Sequence, residues 1–164
     1  MDSKVAVVAI GGNSLIKDKG QQTVPDQFAA TRETVTHIAD IIQSGWDVAI
    51  THGNGPQVGF TLLRSELSRH VLHEDPLDSC GADAQGALAY MIQQCLGNEF
   101  KMRGLQKQVV TQVVVDRQDL AFRNPTKPMG PFFDEQKAKQ YRAELQWDIV
   151  EDAGQGWRRV VPSP

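Results

Sequence analysis

The sequence predicts an α/β fold with a parallel sheet, and three neighbouring features carry this prediction. Residues 5–10 form a continuous apolar, β-branched run, typical of a strand that is buried on both faces. Residues 47–51 form a second run of strand character. Between them, residues recur at helical spacing: Phe28, Thr31, Val35, Ile38 and Ile42. A strand–helix–strand unit of this kind implies that the two strands are parallel.

The ends of the elements are also marked in the sequence. Pro25 suits the first turn of the first helix, and Gly45 suits its end. Residues 58–67 predict a second helix, and residues 84–100, which are rich in Ala, Leu, Met and Gln, predict a third helix that is mostly buried. The Val-rich stretch at residues 108–115 predicts a third strand.

The pattern changes at residue 116. Residues 116–133 hold three prolines and little periodicity, so they predict a long irregular loop, and such loops are often functional. A helix is predicted at residues 134–145 and a short strand at residues 159–161.

Composition excludes several classes of protein. Apolar residues make up 40% and charged residues 23% of the 164, as in ordinary globular domains, and the net charge of -3 argues against a nucleic-acid partner. No apolar stretch approaches the ~20 residues that cross a bilayer, and no signal peptide is evident, so we expect a cytoplasmic protein without a membrane partner. Cys80 and Cys95 lack metal-ligand spacing and are expected to be reduced thiols near a core, and no metal-ligating residues are predicted.

Two glycine-containing loops directly follow the first two predicted strands. The first comprises Gly11, Gly12 and Asn13, and the second Gly53, Asn54 and Gly55. Glycine lets the backbone turn tightly and bring N–H groups close to phosphate oxygens. Either loop alone is readily explained as an ordinary turn. Two of them at the carboxyl edge of one sheet, where α/β folds bind ligands, favour an anion site.

These loops match neither the dinucleotide fingerprint nor the Walker A motif, so phosphate binding would use another scaffold. The amides of Asn13 and Asn54 are candidates for contacting substrate, although each residue also tolerates a left-handed turn. His52 is interpreted as holding its loop by hydrogen bonds rather than acting as a base.

Lys127 lies between Pro125 and Pro128 in a proline-rich segment. Prolines stiffen the backbone, and a lysine aimed at a phosphate benefits from that restriction, whereas a solvated lysine does not need it. The alternative is a turn with an incidental lysine. Arg158 and Arg159 are interpreted as solvated or structural residues, although an arginine here could also hold a carboxylate or phosphate.

The chain resembles the carbamate kinases of the amino acid kinase superfamily along essentially its whole length. The clearest strings are AIGGN at residues 9–13, HGNGPQVG at 52–59, NPTKPMGP at 124–131 and GWRRVVPSP at 156–164. The resemblance implies a three-layer α/β/α sandwich with a mainly parallel sheet and a small protruding subdomain. It also implies a homodimer, the use of ATP or ADP with Mg²⁺, and the interconversion of ADP plus carbamoyl phosphate with ATP plus carbamate, for example in arginine metabolism.

The resemblance also assigns roles to residues. Gly11, Gly12 and Asn13 would face the transferred phosphoryl group. Gly53, Asn54 and Gly55 would hold the small substrate and that phosphoryl group. Lys127 would be catalytic and would reach the phosphates from the protruding subdomain.

The resemblance divides the chain into a substrate- and phosphate-binding lobe at residues 1–116 and a lid-like subdomain at residues 117–164, which returns toward a C-terminal nucleotide lobe. Family members are about twice this length, so the chain is expected to be an N-terminal half that lacks most of the ATP site and is inactive alone. Asp83 stands where at least some members have an uncharged residue, which puts strict carbamate specificity in doubt. The alternatives are a kinase for another small acid and a non-catalytic binding or dimerisation fragment.

Overall fold

A computed structural model describes residues 4–16, 20–113 and 125–162, without the side chains of Asn13, Pro125, Thr126 and Pro162. Its elements follow the chain in this order: β1 (Lys4–Ile10), a 3₁₀ turn (Gly12–Leu15), α1 (Val24–Gln43), β2 (Trp46–His52), α2 (Gly55–Ser68), α3 (Leu77–Arg103), β3 (Pro125–Phe133), α4 (Glu135–Leu145), β4 (Ile149–Glu151) and β5 (Trp157–Pro162). The chain forms two compact units, one of residues 1–54 and 82–113 and the other of residues 55–81 and 114–164.

The first unit is built on the predicted parallel pair. β1 and β2 pair in parallel from Lys4 with Trp46 to Ile10 with His52, which confirms the strand–helix–strand prediction. Alternate strand residues, including Val8 and Ile50, pack against buried residues of α1 and α3 in one hydrophobic core. The core residues from the two helices include Ala30, Val35, Ile38, Leu88, Ile92, Leu96 and Phe100.

Helix α1 begins and ends at the residues that its sequence marks. Thr23 caps its start and forms a capping box with Asp26, and Pro25 lies in the first turn. At the other end the chain leaves the helix through Gly45, whose φ of +95° is a left-handed conformation that favours glycine. The predicted first helix is therefore confirmed at both ends.

The third predicted strand is wrong in the part that the structure describes. Residues 108–113 have no regular secondary structure, and residues 114 and 115 lie outside the described residues. The carbonyl of Val109 accepts a hydrogen bond from the Gln93 side chain at 3.1 Å, and Val110 is 87% exposed. β-branched residues fit a strand only where a neighbouring strand offers backbone hydrogen bonds, and none of the described strands pairs with this segment.

The second unit contains an antiparallel sheet in the order β3–β5–β4. Buried Phe133, Ala138, Trp147 and Ile149 form its core, and the Phe133 and Tyr141 rings meet edge to face at 5.1 Å. The helix predicted at residues 134–145 and the strand predicted at 159–161 are confirmed as α4 and as part of β5.

The irregular loop predicted up to residue 133 is wrong over residues 125–133, which form β3, and residues 116–124 lie outside the described residues. Proline lacks an N–H donor and is tolerated on edge strands and at irregular pairing. β3 is an edge strand, and its pairing with β5 shifts register between Pro125 and Lys127 and again between Met129 and Phe133. These features let three prolines lie in one strand.

The two units divide the chain differently from the predicted boundary at residues 116 and 117, because α2 groups with the C-terminal segment. The predicted boundary concerns function and stays a prediction. Cys80 and Cys95 are buried and neither forms a disulfide within the described part of the chain, which confirms that they are thiols of the interior. Among the described residues, no helix has both the length and the apolar content needed to cross a bilayer.

Candidate functional site

The first glycine loop folds back tightly at the end of β1. Ile10, the last residue of the strand, is buried, and the amide of Ser14 donates to the carbonyl of Gly11 at 2.9 Å. Leu15 is 1% exposed and anchors the end of the turn in the core. The loop backbone is therefore held on both sides by buried apolar residues.

The second loop lies directly beside the first. The amide of Gly53 donates to the carbonyl of Ile10 at 2.8 Å, which extends the pairing of the parallel strands into the loops. A Cβ atom on Gly12 would lie 2.8 Å from the carbonyl oxygen of Gly53 and 3.2 Å from the amide nitrogen of Asn54. Only glycine fits this approach without a shift. The prediction that the two loops meet at one edge of the sheet is confirmed, and their binding of an anion stays a prediction.

The rest of the second loop is less crowded. A Cβ atom on Gly55 would meet nothing within 4 Å, and Gly55 begins helix α2 directly after the half-buried Asn54. The Nδ1 atom of His52 is buried and makes no hydrogen bond within the described part of the chain, so the expected bond from His52 to its loop is absent at that nitrogen. The side chain of Asn13 lies outside the described residues, and its proposed contact stays a prediction.

Lys127 lies in β3, where its backbone neighbour across the sheet is Val161, and its side chain is exposed. Val160 and Val161 of the central strand are 6% and 3% exposed, so β3 is held against a buried strand. Lys127 therefore projects from a strand that is paired with β5 rather than from the predicted loop.

The two arginines of β5 are structural, as one of the two interpretations expected. Arg158 donates to Asp152 at 3.0 Å and to the carbonyl of Gly130 at 3.1 Å. Arg159 forms an ion pair with Glu66 of α2 and lies 4.6 Å over the Trp147 ring. Burial raises the pKa of the Glu66 carboxyl, although the Arg159 charge acts in the opposite direction.

A second close approach of two glycines was not predicted from the sequence. A Cβ atom on Gly59 of α2 would lie 2.1 Å from the Cα of Gly130 in β3. Gly130 itself has φ of +77°, so both positions favour glycine. The only signal in the sequence is Gly59 inside a helical pattern. Glycine destabilises a helix interior, so its presence there can indicate close packing.

Two further features concern acidic side chains and metal binding. Asp83 is exposed on α3. Across the described ranges, His, Cys, Asp and Glu side chains nowhere come together in threes that could hold a metal ion.

Known proteins resemble the chain along nearly all of its length. It is 51% identical over 164 residues to the carbamate kinase of Pyrococcus horikoshii, covering 96% of this chain and 52% of that protein. The carbamate kinase of Giardia lamblia bound to citric acid has a TM-score of 0.87 at 40% identity, over 99% of this chain and 53% of that one. The chain is similar to one half of these carbamate kinases. Carbamate kinase-like protein YahI of Escherichia coli is 46% identical over 166 residues, which cover 98% of this chain and 52% of that protein.

A second Giardia lamblia structure, carbamate kinase bound to AMP-PNP, has a TM-score of 0.74 at 40% identity, with 99% of this chain and 52% of that one covered. No family model matches the chain. The chain spans about half the length of the carbamate kinases that it resembles. The resemblance stated from the sequence and the α/β fold class are confirmed by these similarities.

Proposed function

We propose that the chain provides the phosphoryl- and substrate-binding half of a carbamate kinase, which transfers a phosphoryl group between ATP and carbamate. The observation that carries the proposal is the contact between the two glycine loops, where Gly53 bonds to Ile10 and Gly12 meets Gly53. Such a backbone contact at the carboxyl edge of two parallel strands is where α/β folds bind anionic ligands.

The chemistry needs positioning and charge neutralisation more than covalent help. In phosphoryl transfer, negative charge is spread over the equatorial oxygens, and fixed N–H groups and cations stabilise it. Gly11, Gly12 and Asn13 would face the transferred phosphoryl group, and Gly53, Asn54 and Gly55 would hold it with the small substrate. Lys127 would add a positive charge. Carbamate already carries a nucleophilic oxygen, so no strong base is required.

The nucleotide is the second substrate of the proposed reaction. The Giardia lamblia relative has been solved bound to AMP-PNP, which supports the use of ATP and ADP. Mg²⁺, when bound, neutralises charge on the phosphate oxygens. The described residues offer no cluster of three ligands, which fits an ion held mainly by the nucleotide phosphates. The homodimer and the cytoplasmic location implied by the resemblance are further parts of the proposal.

A titration tests the binding role of the loops. Carbamoyl phosphate is added to the isotopically labelled chain, and backbone amide resonances are followed. We expect the largest shifts at Gly11, Gly12 and Gly53. Shifts confined to other parts of the chain would exclude the loops as the anion site. A coupled assay with ADP and carbamoyl phosphate is expected to show no ATP formation by the 164-residue chain alone, and robust turnover would contradict this expectation.

A kinase for another small acid is the second candidate. The observation that favours it is the 46% identity to a protein named only as carbamate kinase-like, together with the exposed charge of Asp83 on α3. Acetyl phosphate in place of carbamoyl phosphate distinguishes the two. Tighter binding of acetyl phosphate at the loops would favour the second candidate. The absence of binding by either compound would favour the non-catalytic fragment.

A further inference from the structure

Helix α2 is locked to the strand that carries Lys127 by a contact between two backbones. The Cα of Gly130 lies where a side chain on Gly59 would begin, because a Cβ at residue 59 would come within 2.1 Å of it. Real Cβ atoms do not approach other atoms this closely, so any side chain at position 59 must push α2 and β3 apart. The contact is three residues from Lys127 along the strand.

A second link joins α2 to the sheet from the same face of the helix, about two turns further on. Gly59 and Glu66 are seven residues apart and therefore lie on one side of the helix. Glu66 pairs with Arg159, and their side chains are only 12% and 22% exposed. Arg159 is the register partner of Met129, so this link meets the sheet two residues from Lys127.

A partly open cavity lies between the two links, and its lining includes Gly59, Glu66, Gly130 and Arg159. The links themselves join α2 to β3 and to β5, and β3 is paired with β5. We therefore expect the three elements to move as one body.

We propose that α2 positions Lys127, with Gly59 and Glu66 as positioning residues that act through Gly130 and Arg159. The inference rests on the proposed function, in which Lys127 contacts the phosphoryl group. Because α2 begins at Gly55, the last glycine of the second loop, the helix would fix the strand that carries the lysine relative to the end of that loop. Misplacement of a charged group by about 1 Å can reduce a rate by about 100-fold, so such fixing is functionally significant.

The test measures the reactivity of Lys127 directly. The full 164-residue chain is treated with an amine-acylating reagent, and the rate at Lys127 is followed by peptide mass spectrometry with and without inorganic phosphate. The variants are G59A and E66Q, of which the second keeps the side-chain shape and is informative even if the first does not fold. Phosphate binding to the loops is followed separately by the amide shifts of Gly12 and Gly53.

Matched controls come from the first unit. G97A adds a methyl group to a helical glycine with no atom within 4 Å, and E99Q removes the charge from another partly buried Glu–Arg pair, that of Glu99 with Arg103. We expect phosphate to protect Lys127 in the unaltered chain and in both controls. In G59A and E66Q the protection is lost while phosphate still shifts the loop amides.

The other outcomes overturn the inference in distinguishable ways. Full protection in G59A and E66Q would overturn the inference and leave the proposed function standing. Loss of protection in E99Q as well as in E66Q would also overturn it, because a general loss of stability would then be the cause. The absence of protection in the unaltered chain would overturn the proposed role of Lys127 itself, and the inference with it.

Discussion

The amide of Gly53 donates to the carbonyl of Ile10 at 2.8 Å, so the last hydrogen bond of the parallel pair is made by a loop residue. Ile10 ends β1 and is buried, and Gly53 directly follows β2. The bond fixes the spacing of the two glycine loops to that of adjacent strands. The loops are therefore preorganised by the sheet and do not depend on a ligand to bring them together.

The first prediction concerns Gly12. In G12A the new Cβ would lie 2.8 Å from the carbonyl oxygen of Gly53, so the loops must separate. Such overpacking typically costs about 1–3 kcal/mol. We expect the free energy of unfolding, measured by urea denaturation, to fall by this amount, and the amide shifts caused by phosphate to disappear. Unchanged stability together with unchanged phosphate binding would show that the loops are not in contact.

The second prediction concerns Gly97 and supplies the control for every glycine substitution in this protein. Gly97 lies inside α3, is exposed, and has no atom within 4 Å of a built Cβ. Alanine in a helix interior is favoured over glycine by about 0.5–1 kcal/mol. G97A should therefore raise the free energy of unfolding by about that amount. A loss of stability would mean that neighbouring atoms leave no room for a methyl group at position 97.

The glycine loops and the first helix could be predicted because their signals are local. Pro25 and Gly45 each act within one turn of an end of α1. Glycines that directly follow a strand likewise predict a turn at that point. The failure at residues 108–113 has a different origin. A valine-rich stretch indicates strand propensity but cannot show whether a pairing edge exists beside it, and pairing decides the outcome.

The second unit also shows that local sequence patterns do not reveal which strands pair. Three prolines predict irregular backbone, yet β3 forms because β5 provides a buried partner for it. The contact of Gly59 with Gly130 and the ion pair of Glu66 with Arg159 join residues that are far apart along the chain. Side-chain types alone give no signal for either. The sequence therefore identified the candidate Lys127 but not the residues that hold its strand.

The third prediction concerns pH and Glu66. Burial raises the pKa of its carboxyl above the ordinary value of 4.5, so in the folded state the proton is retained to higher pH than in the unfolded chain. The resulting stabilisation is fully present below 4.5 and is lost as pH rises through the raised folded value. E66Q cannot titrate there. The free energy of unfolding of the unaltered chain minus that of E66Q should therefore decrease with rising pH across this window.

Glu135 gives a control of opposite sign. A hydrogen bond from Lys139 and its charge lower the pKa of the Glu135 carboxyl, so the stabilisation is present above the ordinary value and is lost as pH falls. The corresponding difference for E135Q should increase with rising pH. Urea denaturation at a series of pH values measures both differences. A flat or rising difference for E66Q would show that the Arg159 charge outweighs burial at Glu66.

The last prediction concerns Lys127 and needs an active enzyme, which a chimaera of this chain with the remaining half of a carbamate kinase relative would provide. If Lys127 neutralises charge mainly in the transition state, K127A should lower kcat in the ATP-forming direction more than it raises KM. Loss of one preorganised charge contact typically costs about 3 kcal/mol, or about 100-fold in rate.

Two further variants separate the role of Lys127 from the general effect of losing a lysine. K127R should restore activity only in part, because the guanidinium is wider and its charge more diffuse than that of an ammonium group. K137A removes another exposed lysine of the same unit, at the start of α4, and should leave kcat unchanged. The side chain of Lys127 is exposed, and its strand is held by pairing with β5, where Val161 is 3% exposed. Because surface substitutions usually change stability little, K127A should also leave the unfolding midpoint nearly unchanged. An unchanged kcat in K127A, with the fold intact, would mean that Lys127 is an ordinary surface lysine of an edge strand.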